Sequence, residues 1–275
     1  LRDELMNSMR EFKAIGAAGV VMDVSTGETV AMVSLPDYDP NDADRMSANA
    51  AFNRAAKGVY EMGSTFKLFT AAMALDSGVV DVTDGYDASK PIRVARFTIS
   101  DYHAKNRWLS VPEIVLHSSN IGAAKMAMDV GTKGQQAYLE KFGLMKPAGL
   151  ELPEVGSPLL PSTWRPINTM TISYGHGISV SPVQLVSGIS ALVNGGLYRT
   201  PTLLKARDRS PVAGARAISA ETSEHMRGLM RLVVSRGTGR KANVAGYLVG
   251  GKTGTAEKSS RRGYSKSAKL SSFVG

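Results

Sequence analysis

Residues 63–75 read Gly-Ser-Thr-Phe-Lys-Leu-Phe-Thr-Ala-Ala-Met-Ala-Leu, a stretch that predicts the start of a helix with a serine and a lysine three positions apart. Side chains at positions i and i+3 of a helix lie on the same face. The spacing therefore places Lys67 beside Ser64. Taken alone, the pair also fits a serine that caps a helix and a solvated lysine in its first turn.

A second string, Ser118-Ser119-Asn120, lies between two segments with helical apolar spacing, and Pro112 suits the first turn of the earlier segment. Ser118 and Asn120 are two positions apart, so a continuous helix would direct their side chains apart. Both can line one cleft only where a helix ends, and we therefore predict a break here. The alternative is an ordinary helix junction held by side-chain to backbone hydrogen bonds.

A third string, Lys252-Thr253-Gly254-Thr255, belongs to a stretch that predicts a strand near residues 244–257. Its glycines permit another backbone to approach closely, as when an edge strand binds an extended peptide. The stretch also matches the pattern G-x-x-x-x-G-K-[ST] from Gly246, which predicts a P-loop nucleotide hydrolase instead. A P-loop opens directly into a helix, whereas a glycine and a threonine follow here, so we rank this alternative last.

The three strings together are typical of serine acyl-transfer enzymes. A serine hydroxyl is a weak nucleophile at neutral pH and needs a base within about 2.6–3.2 Å of its oxygen. For Lys67 to be that base, its pKa must fall by roughly 3 units from about 10.4, which corresponds to about 4 kcal/mol. Burial and a nearby cation both lower a lysine pKa, and Lys252 is the candidate for that cation.

Over nearly its whole length the chain resembles the transpeptidase domain of a class B penicillin-binding protein, in particular the septal, division-associated type. Beyond the three strings, the resemblance rests on residues 20–32, Asp39-Pro40-Asn41, Glu61-Met62-Gly63, Ile99-Ser100-Asp101, Gly237-Thr238-Gly239 and Ser272-Phe273-Val274-Gly275. It implies a peptidoglycan D,D-transpeptidase that cross-links stem peptides through a serine acyl-enzyme and is acylated by β-lactams.

The resemblance also implies a role for residues of the first two strings. Ser64 attacks the carbonyl between the two terminal D-alanines of a stem peptide, and Lys67 takes the serine proton. Ser118 relays a proton toward the leaving group, and Asn120 hydrogen-bonds the peptide amide. An amine from a neighbouring stem peptide then resolves the acyl-enzyme.

On the third string, the resemblance implies that Lys252 orders the site electrostatically. The hydroxyls of Thr253 and Thr255 bind the terminal carboxylate, and Gly254 completes this substrate-binding strand. The N–H groups of Ser64 and Thr255 form an oxyanion hole, where one donor is worth about 10²- to 10³-fold in rate. The implied partners are D-alanyl-D-alanine stem peptides, β-lactam antibiotics, and divisome or glycosyltransferase proteins.

Two alternatives share this fold, a β-lactamase and a non-enzymatic β-lactam sensor. A class A β-lactamase needs a glutamate that activates water for deacylation, whereas a transpeptidase must exclude water until the amine arrives. Glu151 and Glu154 follow the second string but lack the pattern E-x-x-L-N. We therefore expect Glu154 to be a surface or loop residue.

The chain has 275 residues, of which 43% are hydrophobic, enough to bury a sizeable core. Its net charge is +9, but the basic residues are not interleaved with stacking aromatics, so we expect no nucleic-acid partner. The absence of cysteine fits an oxidising compartment. The resemblance implies the periplasmic side of the inner membrane in the bacterial cell envelope, with the membrane anchor upstream of this chain.

None of the four histidines lies in a zinc motif, so we expect neither a metal nor a cofactor. His117 adjoins the second string, and His176 lies in Tyr-Gly-His-Gly, where the resembling family often has an aromatic residue. Either histidine is a candidate to line the cleft, although a structural role is favoured for both.

The order of these signals predicts an α+β fold of the penicillin-binding and β-lactamase type, in one domain over residues 1–275. An amphipathic N-terminal helix and a hairpin at about 17–34 join the late strands, near 244–257 and 269–275, in one antiparallel sheet. The sheet lobe comprises about 1–40 and 240–275, and a mostly helical lobe spans about 41–239.

Further helices are expected near 133–142, 182–194 and 220–235. A long ordered loop is expected from Pro147 to Pro166, and a solvated basic loop at 258–266 between the late strands. The resemblance implies that both ends of the domain are truncated in this chain.

Overall fold

The structure is a computed structural model that describes residues 1–95, 97–205, 212–260 and 263–275. The α-helices of these residues are α1 (Arg2–Phe12), α2 (Ala48–Ala51), α3 (Phe66–Asp76), α4 (Val111–His117), α5 (Asn120–Lys141), α6 (Pro166–Ile172), α7 (Pro182–Val193) and α8 (Ala220–Arg236). Short 3-10 helices span Ala43–Arg45, Gly63–Thr65 and Arg240–Ala242. The strands are β1 (Ala17–Met22), β2 (Thr29–Leu35), β3 (Gly85–Asp87), β4 (Ile92–Val94), β5 (Phe97–Ile99), β6 (Trp108–Ser110), β7 (Leu197–Tyr198), β8 (Ala215–Arg216), β9 (Lys252–Ser260) and β10 (Gly263–Val274).

The predicted N-terminal hairpin is confirmed as β1 and β2, which pair antiparallel. The Asp23 carboxylate accepts a hydrogen bond from the Ser25 N–H at 2.8 Å in the turn. Gly27 follows with φ 83°, a left-handed conformation that only glycine adopts without steric cost. The predicted amphipathic helix is α1, which packs on this hairpin where Gly19 leaves room for the side chain of Leu5.

The single antiparallel sheet expected from the sequence is wrong for the residues that the structure describes. There, β1 pairs only with β2, while β9 pairs only with β10, Lys252 standing opposite Val274. Strand-forming residues identify a strand but not its partner, because every residue offers the same backbone donor and acceptor. Each hairpin was predictable from the short connection between its two strands, whereas the pairing of one hairpin with another was not.

The bounds of the late strands also differ from the prediction. β9 begins at Lys252 and not near 244, because the preceding segment turns at Gly246, where φ is 83°. The stretch 258–266, expected as a loop, extends β9 to Ser260 and begins β10 at Gly263. The two positions between these strands lie outside the described residues.

The core is built around α3, in which every residue from Phe66 to Ala74 is buried. The helices α4, α5, α7 and α8 pack against it. The Phe69 ring lies 5.2 Å from the Phe142 ring, centroid to centroid, which ties α3 to the end of α5. Because α3 is enclosed, the turn that precedes it, with Ser64, is held at the edge of a close-packed core.

The helices expected near 182–194 and 220–235 are confirmed as α7 and α8. The helix expected near 133–142 is the second half of α5, which runs through a non-helical Gly131 with φ 77° and ψ 161°. The structure therefore has one helical segment on either side of a kink at Gly131.

The expected proline-rich loop is confirmed, since the chain from Pro147 is irregular as far as Arg165. A bridge between Leu159 and Ser179, with hydrogen bonds of 2.9 and 3.0 Å, anchors it. Helix α6 was not predicted, and it begins at Pro166, at the end of the expected loop. Among the described helices, none combines the length and the apolar character needed to cross a bilayer.

Candidate active site

Ser64 lies in the 3-10 turn that leads into α3, and Lys67 lies one turn further along. The Nζ atom of Lys67 is 2.8 Å from the Ser64 Oγ. Lys67 has no exposed surface, an unusual position for an ammonium group. The spacing predicted from the sequence therefore brings the two side chains into hydrogen-bond contact.

Ser118 lies at the predicted helix break, between α4 and α5. It adopts the left-handed conformation with φ 60° and ψ 43°, which ends α4 and turns its side chain toward α3. Its Oγ lies 3.1 Å from the Lys67 Nζ, and its carbonyl accepts a hydrogen bond from the same nitrogen at 2.8 Å. The break is thus confirmed, and it joins the first two strings in one hydrogen-bond network.

Lys252 completes this network from the first position of β9. Its Nζ lies 3.0 Å from the Ser118 Oγ and donates to the Thr253 carbonyl at 3.0 Å. Burial lowers the pKa of Lys252 to about 8. Burial, followed by the charge of Lys252, holds the pKa of Lys67 well below its usual value, and Asp101 opposes this shift. At neutral pH the arrangement favours a neutral Lys67 beside a charged Lys252.

β9 reaches the Ser64 turn because two glycines in the contact carry no side chain. A Cβ on Gly63, where φ is 55°, would lie 2.5 Å from the Thr255 carbonyl oxygen. A Cβ on Gly254 would lie 2.5 Å from the Met62 carbonyl oxygen. The strand backbone therefore lies directly against the turn of Ser64, with Thr255 exposed toward solvent.

The predicted substrate-binding residues lie close to Ser118 or Lys252 in the chain. The Thr253 hydroxyl lies 2.8 Å from the hydroxyl of Thr238, which follows α8. Asn120 begins α5 beside Ser118, and its Nδ2 donates to the Ser100 carbonyl at 2.9 Å. Hydrogen bonds thus join Ser64 with Lys67, Ser118 and Lys252, and the other four predicted residues are chain neighbours of Ser118 or Lys252.

The sequence profile of the family described as penicillin binding protein transpeptidase domain matches residues 17–275. The chain belongs to this family. The match confirms the class B penicillin-binding protein resemblance drawn from the three strings, and with it the α+β penicillin-binding fold.

Similar proteins agree with this assignment. The probable peptidoglycan D,D-transpeptidase FtsI of Caulobacter vibrioides is 43% identical over 279 residues, which cover 100% of this chain and 47% of that protein. The peptidoglycan D,D-transpeptidase FtsI of Escherichia coli is 33% identical over 93% of this chain and 43% of its own length. The apo structure of the transpeptidase domain of Burkholderia pseudomallei penicillin-binding protein 3 superposes with a TM-score of 0.89 at 33% identity, covering 99% of this chain and 79% of that one. The chain spans about half the length of these curated relatives.

In this transpeptidase domain, Asp101 organises the second string, a function that sequence reasoning did not assign. Its carboxylate accepts hydrogen bonds from the Ser119 hydroxyl at 2.7 Å and from the Asn120 and Ile121 N–H groups at 2.6 and 3.0 Å. A carboxylate at a helix N-terminus satisfies free N–H donors and favours the helix dipole. Asp101 therefore fixes the start of α5 and, with it, the left-handed turn of Ser118.

The turn at residues 174–177 closes the other side of the nucleophile. Gly175 has φ 84° and lies against Gly63, since a Cβ on it would overlap the Gly63 backbone. The Gly177 N–H donates to the Glu61 Oε1 at 2.8 Å. His176, between these two glycines, is therefore held close to the nucleophile turn.

The two candidate histidines have different surroundings. Burial, with a smaller effect of Lys67, lowers the pKa of His176, while Glu61 and Glu257 oppose the shift. Burial and Lys105 lower the pKa of His117, which faces the segment before α4. Of the two, only His176 is coupled electrostatically to Lys67.

The structure argues against two alternatives, the P-loop hydrolase and the class A β-lactamase. Lys252 begins a strand and not a helix, so the phosphate-binding pattern does not form a P-loop. The Glu154 carboxylate accepts from Asn53 at 3.2 Å, and Glu151 accepts from Thr202 at 2.6 Å. Neither glutamate is placed by these contacts at Ser64, where a class A β-lactamase needs its deacylating base.

Proposed function

We propose that this domain is a peptidoglycan D,D-transpeptidase that works through an acyl-enzyme on Ser64. One observation carries the proposal: the Ser118 hydroxyl lies 3.1 Å from Lys67 and 3.0 Å from Lys252, while Lys67 lies 2.8 Å from Ser64. A nucleophile, a buried base and a proton relay are thereby connected. The names of the FtsI relatives, both called peptidoglycan D,D-transpeptidases, support the same reaction.

In the proposed acylation, the Ser64 oxygen attacks the carbonyl carbon of the penultimate D-alanine. The serine proton passes to the neutral Lys67 as the new C–O bond forms. The C–N bond then breaks, and the proton reaches the leaving amine by way of the Ser118 hydroxyl. A neutral lysine is required for this step, which is why burial and the charge of Lys252 matter.

The developing oxyanion would be held by the backbone N–H groups of Ser64 and Thr255. This role is supported by the packing of Gly63 against the Thr255 backbone, which aligns the strand with the nucleophile turn. Two preorganised donors stabilise charge that appears only in the transition state, and one of them is worth about 10²- to 10³-fold in rate.

The rest of the cleft would bind the donor peptide. Lys252, charged and buried, would attract the terminal carboxylate, with the hydroxyls of Thr253 and Thr255 as hydrogen-bond donors and Gly254 keeping the strand close. Asn120, fixed by its bond to the Ser100 carbonyl, would hydrogen-bond the peptide amide. A β-lactam carries a carboxylate and an acyl group in a similar arrangement, and we expect it to acylate Ser64.

We further propose a septal role on the periplasmic side of the inner membrane, with divisome or glycosyltransferase proteins as partners. The names of the FtsI relatives support this setting, and the chain spans about half of their length. We also propose the two-lobe division at residues 1–40 with 240–275 and 41–239, which places the cleft between β9 and the Ser64 turn.

The test is intact mass spectrometry after incubation with a penicillin, on the wild type and on Ser64→Ala. Ser235→Ala is the matched control, because Ser235 is an exposed hydroxyl on α8. A stable one-to-one adduct in the wild type and in Ser235→Ala, but not in Ser64→Ala, supports the proposal. Rapid loss of the adduct would instead favour a β-lactamase, and no adduct on a protein with a cooperative melting transition would contradict both.

A second measurement separates an enzyme from a sensor. The domain is given a D-alanyl-D-alanine donor and a D-amino acid as acceptor amine, and the exchanged product is quantified by mass. Release of D-alanine with formation of the new peptide supports the transpeptidase. A penicillin adduct without any peptide turnover would assign a sensor.

A further inference from the structure

His176 is influenced by two carboxylates, Glu61 and Glu257, that the acylation step does not use. The turn that carries it packs on Gly63 through Gly175 and is tied to the Glu61 carboxylate through the Gly177 N–H, at 2.8 Å. The His176 Nδ1 and the Glu61 Oε2 are both buried, and the Tyr174 ring lies 5.4 Å from the imidazole, centroid to centroid. The imidazole is thus held in a defined position beside the nucleophile turn.

Four elements contribute the charged and aromatic groups that act on this imidazole. Glu61 comes from the segment before the Ser64 turn, Lys67 from α3, Glu257 from β9, and Tyr174 from its own turn. Burial lowers the pKa of His176 below its ordinary value, which favours the neutral imidazole at pH 7. The two carboxylates would stabilise the imidazolium once it forms, as a carboxylate does for the histidine of a catalytic triad.

The proposed transfer step needs a proton acceptor beyond the lysine and serine network. An acceptor amine arrives as an ammonium ion, R–NH₃⁺, and becomes an amide nitrogen that keeps one hydrogen. Two protons therefore leave the nitrogen. One proton passes through Lys67 and Ser118 and restores the Ser64 hydroxyl as the acyl C–O bond breaks. The other proton needs a second acceptor, because the lysine and serine network takes up only one.

We propose that His176 is the general base that removes the first of these protons and so produces the neutral amine that attacks the acyl-enzyme. The proposal rests on the transpeptidase function proposed above and identifies the acceptor subsite with the His176, Glu61 and Glu257 cluster. The two carboxylates attract the ammonium ion into the cleft, and the imidazole passes the proton to solvent after the transfer. His176 touches the acceptor amine and takes no part in the attack on the donor.

The experiment compares two acceptors on the same acyl-enzyme. A thioester donor generates the acyl-enzyme, and either a D-amino acid, which is an ammonium ion at pH 7, or hydroxylamine, which is uncharged at pH 7, resolves it. The variants are His176→Gln and His176→Tyr, the second of which keeps an aromatic ring but cannot accept a proton at this pH. His225→Gln, on the exposed surface of α8, is the control histidine.

We expect both His176 variants to lower the rate of transfer to the D-amino acid by about 10²-fold, the usual contribution of a general base. Transfer to hydroxylamine and acylation by penicillin should change much less, within about threefold, because neither needs the extra base. In the wild type, transfer to the D-amino acid should fall at low pH as His176 is protonated, and this limb should be missing in both variants. His225→Gln should match the wild type throughout.

Equal losses with both acceptors would show that His176 only supports the fold of the cleft, and unchanged transfer would remove it from the reaction; either result overturns the inference. Penicillin acylation reports separately on the proposed function. If the wild type forms no adduct, the transpeptidase proposal fails, whereas an adduct with His176-independent transfer contradicts the role of His176 alone.

Discussion

The substitution Lys252→Met should move the pH dependence of acylation. It removes a buried charge but keeps an unbranched side chain of similar length. Both lysine nitrogens lie about 3 Å from the Ser118 Oγ, so they are at most about 6 Å apart. At an effective dielectric constant of about 20, two unit charges at that separation repel by about 3 kcal/mol, which corresponds to about 2 pKa units.

The direction of the shift in the pH–rate profile depends on which protonation state of Lys67 reacts. Lys67 is active when neutral, so the acylation rate rises with pH through its pKa. The charge of Lys252 holds that pKa down, and without it the pKa of Lys67 rises, although burial still keeps it below the usual value. The acid limb should therefore move to higher pH by about 2 units, and the rate on the limb should fall by about 100-fold.

The assay is the second-order rate of acylation by a fluorescent penicillin from pH 5 to pH 10. Lys146→Met is the control, because Lys146 is an exposed lysine paired with Glu140. At high pH Lys67 is neutral in both proteins and Lys252, whose pKa is about 8, has also lost its charge, so the two acylation rates should approach each other. If the acid limb of the pH–rate profile lies at the same pH in the wild type and in Lys252→Met, the electrostatic coupling of the two lysines is refuted.

Three further outcomes are expected. Lys67→Met should abolish acylation and raise the melting temperature measured by calorimetry. Because the pKa of Lys67 is lowered in the folded state, wild-type stability rises with pH toward 10.5, so the increase in melting temperature should be larger at pH 6 than at pH 9. An equal increase at both pH values would contradict a buried neutral lysine. Asp101→Ala should lower the free energy of unfolding in urea titrations by about 1–2 kcal/mol, because α5 loses its cap, and should also slow acylation. A loss of stability with an unchanged acylation rate would show that Asp101 does not hold Ser118 in place. Gly63→Ala should abolish acylation because the new Cβ would lie 2.5 Å from the Thr255 carbonyl oxygen. The control Gly78→Ala, at a similar positive φ but in open space, should change only stability. Equal acylation rates in both variants would mean that the position of β9 does not depend on the contact with Gly63.

The parts of the site that could be predicted are those in which spacing along the chain determines the geometry. A separation of three positions in a helix places Lys67 beside Ser64, and the separation of two positions from Ser118 to Asn120 requires a break. Both follow from helix geometry and need no knowledge of the rest of the fold. The convergence of the three strings came from the family resemblance, since no local rule relates residues more than 50 positions apart.

The parts that could not be predicted depend on contacts between distant segments. Asp101 lies in an irregular stretch, and nothing near it in the sequence indicates that its carboxylate caps α5. The pairing of the N-terminal hairpin with the late strands was predicted wrongly for the same reason, because the residues of a strand do not specify which strand lies beside it. The strand formers before Lys252 suggested an earlier start of β9, but the left-handed turn at Gly246 outweighs that preference.

The proposed mechanism requires that Lys67 be neutral before any substrate binds. The Cε chemical shift of Lys67, in protein labelled with ¹³C-lysine and assigned through Lys67→Met, reports its protonation directly as pH is varied. We expect this signal to titrate at a pH well below the value of about 10.4 for an exposed lysine, and to move upward in Lys252→Met. A Lys67 signal that titrates near 10.4 in the folded wild type would contradict the mechanism.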